Sequence, residues 1–149
     1  MNNLVHINNG FVKPFFIYIH DINRGIVSKS LQQYNVYEKD TTLIVIELLK
    51  QASSNNVFVD IGANIGYYSL MAAQYNIDKI YAFEPIKPNI NLLKNSIEHN
   101  NITNIEVIEK CVGDSDSNVY MIESRNLGGC SVTNQVTNNY CECIQFDNI

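Results

Sequence analysis

The sequence has no cluster of lysine and arginine. Its 10 basic residues are scattered among 15 acidic ones, for a formal net charge of −5, so nothing marks a nucleic-acid-binding face. Apolar runs of membrane-spanning length are missing too: PFFIYI and TLIVIELL fall far short of the ~20 residues a bilayer requires, and the second contains Glu47. The opening MNNLVHINNG lacks a basic segment followed by an apolar core, so no secretory signal is visible and the chain reads as cytoplasmic. There is no tryptophan, no internal repeat and no low-complexity tract. With 46% hydrophobic and 17% charged residues over 149 positions, the chain is globular and long enough to bury a core.

Metal-ligand spacing is also absent. Cys141 and Cys143 form one close pair, Cys111 and Cys130 stand apart, and the histidines fall at 6, 20 and 99. Without a second close pair, these read as reduced, mostly packed thiols and no metal site is expected.

What is present is the stretch VFVDIGANIG, residues 57–66, followed at once by helical-looking GYYSLMAAQ. A β-branched run stopping at an acid, then a glycine-bearing turn into a helix, is the opening strand, loop and helix of a nucleotide-binding α/β sheet. Gly62 and Asn64 suit left-handed backbone, and Gly66 lets the helix start lie close to the strand. The loop is expected to present backbone N–H groups and a helix N-terminus to a ligand.

The acids choose between cofactors. The spacing is GxxxG rather than the GxGxxG of dinucleotide sites, and Asp60 sets a carboxylate where a pyrophosphate would approach, which disfavours NAD. A carboxylate there suits a cationic α-amino group. A second strand, KIYAFEP, ends in Glu84, 18 positions after Gly66, near the spacing of about 20 at which an acid accepts ribose hydroxyls. Adenosine with a charged amino-acid tail, as in S-adenosylmethionine, satisfies both. Each acid alone has a plainer reading, Asp60 as a loop-ordering residue and Glu84 as a solvated strand end.

Along the chain, residues 11–22 read as one or two short strands, and 25–34 and 40–52 as helices, with Glu38 in a YEKD stretch near the second helix start. Pro88 suits the first position of a helix carrying Ile90, Leu93 and Ile97, which Asn100 and Asn101 end. IEVIEKCV, 105–112, reads as strand three, with GDSDSN at its carboxyl end and Asp114 placed near an adenine ring. VYMIE and YCECIQF read as further strands, joined by a loop in which Gly128 and Gly129 face a substrate or simply turn a hairpin. Strand, helix, strand, helix, strand implies right-handed crossovers and a parallel sheet ordered 3-2-1.

DIGANIGYYSLMAAQ, YAFEPIKPNINLLKNSIEHNN, IEVIEKCVGD and the NLGG loop together resemble FkbM-type S-adenosylmethionine-dependent methyltransferases, from about Tyr37 to the last residue. The resemblance implies a Rossmann-like class I methyltransferase sheet, α/β in class. Asp60, Gly62, Asn64 and Gly66 would meet the methionyl end of the cofactor, Glu84 the ribose, and Cys111, Val112 and Asp114 the adenine. It also implies O-methyl transfer to a small-molecule or sugar hydroxyl, and singles out no catalytic base. The family continues from a segment like CIQFDNI into a fourth strand with an IDxEG-like motif, whereas here the sequence stops at Ile149. The expected organisation is therefore an N-terminal cap over residues 1–54 and a cofactor domain over 55–149, with extra strands beyond strand three and truncated before strand four. Strand one would then be an open edge that invites a complementary chain or a homodimer. Two other readings stand beside this one: a non-catalytic remnant or subunit of a split enzyme, and an NAD-dependent enzyme.

Overall fold

The computed structural model describes residues 3–53, 55–122, 131–133 and 140–148. The loop glycines Gly128 and Gly129, and Cys130, lie outside the described residues. The chain opens with an antiparallel hairpin, β1 (Asn3–Ile7) and β2 (Phe15–Ile19). Two helices follow, α1 (Ile26–Tyr34) and α2 (Lys39–Lys50). Then come β3 (Val57–Ile61), α3 (Tyr67–Ala72), β4 (Lys79–Phe83), α4 (Lys87–His99) and β5 (Ile105–Ile108). β3, β4 and β5 form a three-stranded parallel sheet with β4 in the middle. A second, four-stranded sheet holds β6 (Cys111–Gly113), β7 (Ser117–Ile122), β8 (Ser131–Thr133) and β9 (Tyr140–Gln145), in the order β6-β9-β7-β8.

Local chemistry sets several boundaries. Asn35 ends α1 in a left-handed conformation, φ 58°, its N–H donating to the Leu31 carbonyl. Pro88 sits one position inside the start of α4, where a missing N–H costs nothing, and left-handed Asn101 follows its end. β3 carries the acid inside the strand: Asp60 pairs with Ala82, and Ile61 is the last strand residue.

The run IEVIEKCV is not one strand. It breaks at Glu109 and Lys110, and its two halves belong to different sheets. The Lys110 N–H turns back on the Ile108 carbonyl at 2.8 Å. Glu109 is drawn toward α4 by Lys87 and Lys94, at 2.7 and 2.6 Å, while Lys110 reaches Glu142 of β9 at 2.7 Å. These opposed pulls redirect the chain between the two halves. The hairpin strand β1 is also an element that the apolar pattern does not announce.

One apolar core runs through both sides of residue 54. Ile7, Phe15, Ile17, Ile19, Leu31 and Ile46 pack in the same cluster as Ile65, Leu70, Met71, Ile80 and Leu93. The hairpin is tied to α4 as well: the Tyr18 N–H donates to Ser96 Oγ at 2.9 Å, and Phe16 and Asn100 exchange hydrogen bonds of 2.8 and 2.6 Å. No helix among the described residues is long and apolar enough to cross a membrane.

Candidate functional site

The loop from Gly62 to Gly66 joins the carboxyl end of β3 to α3, and three of its five residues are left-handed: Gly62 at φ 78°, Asn64 at 53° and Gly66 at 88°. The two glycines serve different ends. A Cβ on Gly66 would fall 2.1 Å from Leu93 Cδ1, so this glycine lets α4 pack against the loop. A Cβ on Gly62 would meet nothing within 4 Å, and Gly62 instead lines open space.

The expectation that this loop offers N–H groups to a ligand does not hold. The N–H groups of Gly62 and Ala63 both donate to the Phe83 carbonyl at 2.9 Å, and that of Gly66 donates to Ala63 at 2.8 Å. Asn64 N–H donates to Glu84 Oε2 at 2.7 Å, and Ile65 N–H to the Asn64 side chain at 2.8 Å. All five donors are used inside the protein, and α3 is only six residues long, so little of a helix dipole is available. The loop is shaped by these bonds; its ligand-facing chemistry comes from side chains.

Two clefts meet at Gly62 and Asn64. The first, a cavity of about 240 Å³, is lined on one side by Gly62, Asn64 and Glu84 and on the other by Lys110, Cys111, Val112 and Met121. The second, of about 230 Å³, joins Asp60, Gly62 and Asn64 to Val27, Tyr37, Tyr67 and Tyr68. The structure thus gathers Asp60, Gly62, Asn64, Glu84, Cys111 and Val112 around one continuous loop. Gly66 lines neither cleft and acts through packing. Asp114 also lies apart from both, exposed, its carboxylate accepting the Ser115 hydroxyl at 3.2 Å.

Glu84 is only 4% exposed. Its Oε1 accepts the Ile86 N–H at 2.9 Å and the Asn89 amide at 3.1 Å, while Oε2 takes the Asn64 N–H. A carboxylate has about four acceptor positions, so one remains for a ligand hydroxyl. Burial raises the Glu84 carboxyl above its ordinary range; the three hydrogen bonds pull it back down, and the negative charge of Asp60 adds to the rise. Behind it, His20 Nε2 lies 2.7 Å from Asn89 Oδ1. Because the Asn89 amide nitrogen donates to Glu84, its oxygen is the acceptor and His20 Nε2 carries the proton. The 69 residues between His20 and Asn89 hide this contact from the sequence.

Asp60 accepts the Ser69 hydroxyl on Oδ2 at 2.6 Å. Burial raises its carboxyl, and hydrogen bonds from the Ser69 hydroxyl and N–H oppose the rise. Among the described residues no lysine or arginine pairs with Asp60 or Glu84; the ion pairs all lie elsewhere. Two largely desolvated acids line the two clefts, the charge of Asp60 raising Glu84.

The wall opposite Asp60 is aromatic. Tyr67 and Tyr68 lie 5.2 Å apart between ring centroids, with Tyr37 at 6.3 and 6.5 Å from them, all edge-to-face. Glu38, exposed at the start of α2 in a left-handed conformation, accepts the Tyr68 hydroxyl at 3.3 Å. The Tyr68 phenol is pushed up to about 12, mainly by burial, so it stays protonated at neutral pH.

No family model and no curated protein matches the chain. Solved structures do. The SAM-dependent methyltransferase from Agrobacterium tumefaciens is 13% identical over 74% of this chain and 33% of its own length, with a TM-score of 0.50. M. jannaschii TYW2 in complex with AdoMet is 19% identical over 63% and 38%, at a TM-score of 0.45. Methyltransferase FkbM from Methylobacillus flagellatus KT is 20% identical over 63% and 22%, at 0.42. The chain spans between 22% and 38% of the length of these structures. At such identities the likeness is one of fold alone, an α/β fold shared with the Agrobacterium structure.

Proposed function

We propose that the paired clefts bind S-adenosylmethionine and that the chain is the cofactor-binding part of a methyltransferase of the FkbM type. The observation that carries this reading is the pair of uncompensated acids on either side of Gly62 and Asn64. The Glu84 cleft is suited to the adenosine, with the free acceptor position of Glu84 on a ribose hydroxyl and Cys111 and Val112 against the base. The Asp60 cleft is suited to the methionyl end, with Asp60 on the ammonium and the rings of Tyr37 and Tyr68 near the sulfonium. A dinucleotide would bring a pyrophosphate between two carboxylates, which Coulomb repulsion disfavours.

The cofactor supplies an already activated methyl group, so the protein has to align an acceptor and provide for its proton. The acceptor in this reading is a small-molecule or sugar hydroxyl, and no residue is assigned as its base. Around this site, residues 1–54 act as a cap and 55–149 as the cofactor domain: Val27 and Tyr37 of the first segment close the second cleft. The reading also carries a partner. Among the described residues β3 is paired only on its β4 side, and Val57 and Ile61 are 58% and 57% exposed. This apolar edge takes the same edge of a second copy, a self-complementary contact.

Calorimetric titration with S-adenosylhomocysteine and with NAD tests the cofactor. Binding of the first and not the second is expected. Binding of NAD alone overturns the choice, and binding of neither supports a non-catalytic subunit.

A further inference from the structure

Chemistry also gathers on the four-stranded sheet. Cys141 and Cys143 are two apart on β9, so their side chains leave the same face. Cys111, on parallel β6, stands opposite Cys143 in the register. Its Sγ lies 3.5 Å from that of Cys141, and the Cys143 thiol reaches it too. Cys143 is buried over Gly113, where a Cβ would fall 2.6 Å from its sulfur, so the missing side chain makes its room. All three are free thiols. Among the described residues no group of three histidine, cysteine or acidic side chains is arranged to hold a metal ion. What the arrangement does permit is sulfur–sulfur bonding: the Cys111 and Cys141 sulfurs lie 3.5 Å apart on the diagonal between the two strands, and ~1.5 Å of approach closes the contact.

We propose that Cys111 and Cys141 form a reversible disulfide with low-molecular-weight disulfides as the oxidant, with Cys141 the first nucleophile and Cys111 the thiol that closes the bond. The order follows from their surroundings. Burial, and then the Cys143 and Cys141 thiols, raise the Cys111 thiol, and a group held protonated attacks slowly. The Cys141 thiolate attacks one sulfur of glutathione disulfide; that S–S bond breaks, and one glutathione leaves as a thiolate and takes up a proton. Cys111 then loses its proton to solvent and attacks the Cys141 sulfur, expelling the second glutathione. Two protein thiols are oxidised and one disulfide is reduced to two thiols, with two electrons passed. Cys111 lines the first cleft, so the modification sits in its wall and ties β6 to β9.

The test is peptide mapping of the full chain equilibrated with glutathione disulfide, quenched by alkylation and read by tandem mass spectrometry. It needs no cofactor, so its outcome is independent of the methyltransferase reading. The expected result is a Cys111–Cys141 linkage, reversed by dithiothreitol, that forms faster as pH rises, persists in Cys143→Ser and Cys130→Ser, and disappears in Cys141→Ser. Full alkylation of Cys111 and Cys141 after oxidation, glutathione adducts without a crosslink, or a crosslink lost in Cys143→Ser and kept in Cys141→Ser would each overturn it.

Discussion

The backbone N–H of Asn64 donates to the carboxylate of Glu84 at 2.7 Å, across 20 residues. This bond fastens the glycine loop of β3 to the end of β4 and fixes both clefts at once: Glu84 faces one, and Asn64 lies in the wall of each. The same acid therefore shapes the loop and lines the first cleft.

Asp60 makes stability depend on pH. Its raised carboxyl means that the folded state holds a proton more tightly than the unfolded chain. That contribution is fully present below the ordinary carboxylate range and is lost as pH rises through the raised value. Asp60→Asn, which keeps an acceptor for Ser69, is expected to raise the melting temperature at neutral pH and leave it unchanged in strong acid. The same substitution is expected to weaken S-adenosylhomocysteine at least ~10-fold, a differential of about 1.4 kcal/mol. Wild-type affinity falls as pH is lowered through the raised carboxyl. Melting curves and titrations across pH check both trends.

The relay from His20 through Asn89 to Glu84 predicts a stability cost remote from any ligand. Asn89 is 1% exposed, so Asn89→Leu leaves the His20 N–H without its acceptor and takes one of two donors from Glu84 Oε1, which keeps the Ile86 N–H. Orphaned buried groups cost about 1–3 kcal/mol each. Urea denaturation is expected to show a lower midpoint for Asn89→Leu, and a loss for Asn89→Asp as well at neutral pH, because a carboxylate then faces Glu84 in place of an N–H donor.

The two loop glycines are distinguishable by substitution. Gly62→Ala meets open space and suffers only its positive φ, about 1–2 kcal/mol, while filling the junction of the clefts. Gly66→Ala suffers the same strain and also strikes Leu93. The loss of stability is therefore expected to be larger for Gly66→Ala, and the loss of ligand affinity larger for Gly62→Ala. Adding Leu93→Ala is expected to recover part of the Gly66→Ala deficit, which a double-mutant cycle measures.

The open edge of β3 predicts concentration-dependent association. Sedimentation of the wild type is expected to show dimer growing with concentration, and Val57→Lys, which sets a charge on that edge, to shift it toward monomer. A monomer at every concentration contradicts the edge contact; capture of a different chain with unchanged self-association assigns the edge to a complementary partner.

The sheet and its acids were legible where the signal is local. VFV and KIYAF are β-branched and aromatic runs ending at acids, and Gly62, Asn64 and Gly66 mark the turn between strand and helix. Helices α1, α2 and α4 follow from apolar spacing. What stayed hidden depends on distant partners. β1 is a short run among asparagines and gains its identity from β2. The break in IEVIEKCV is made by Lys87 and Lys94 pulling one way and Glu142 the other. The use of every loop N–H from Gly62 to Gly66 is set by Phe83 and Glu84 of the next strand. The aromatic wall of Tyr37, Tyr67 and Tyr68 joins two segments about 30 residues apart.

A crystal structure with S-adenosylhomocysteine reads the division of labour between the two acids most directly. The expected density has the amino group within hydrogen-bond distance of Asp60 and a ribose hydroxyl on Glu84, with the chain of the ligand crossing Gly62. Density with the amino group away from Asp60, or with the adenosine in the tyrosine-walled cleft, would contradict it.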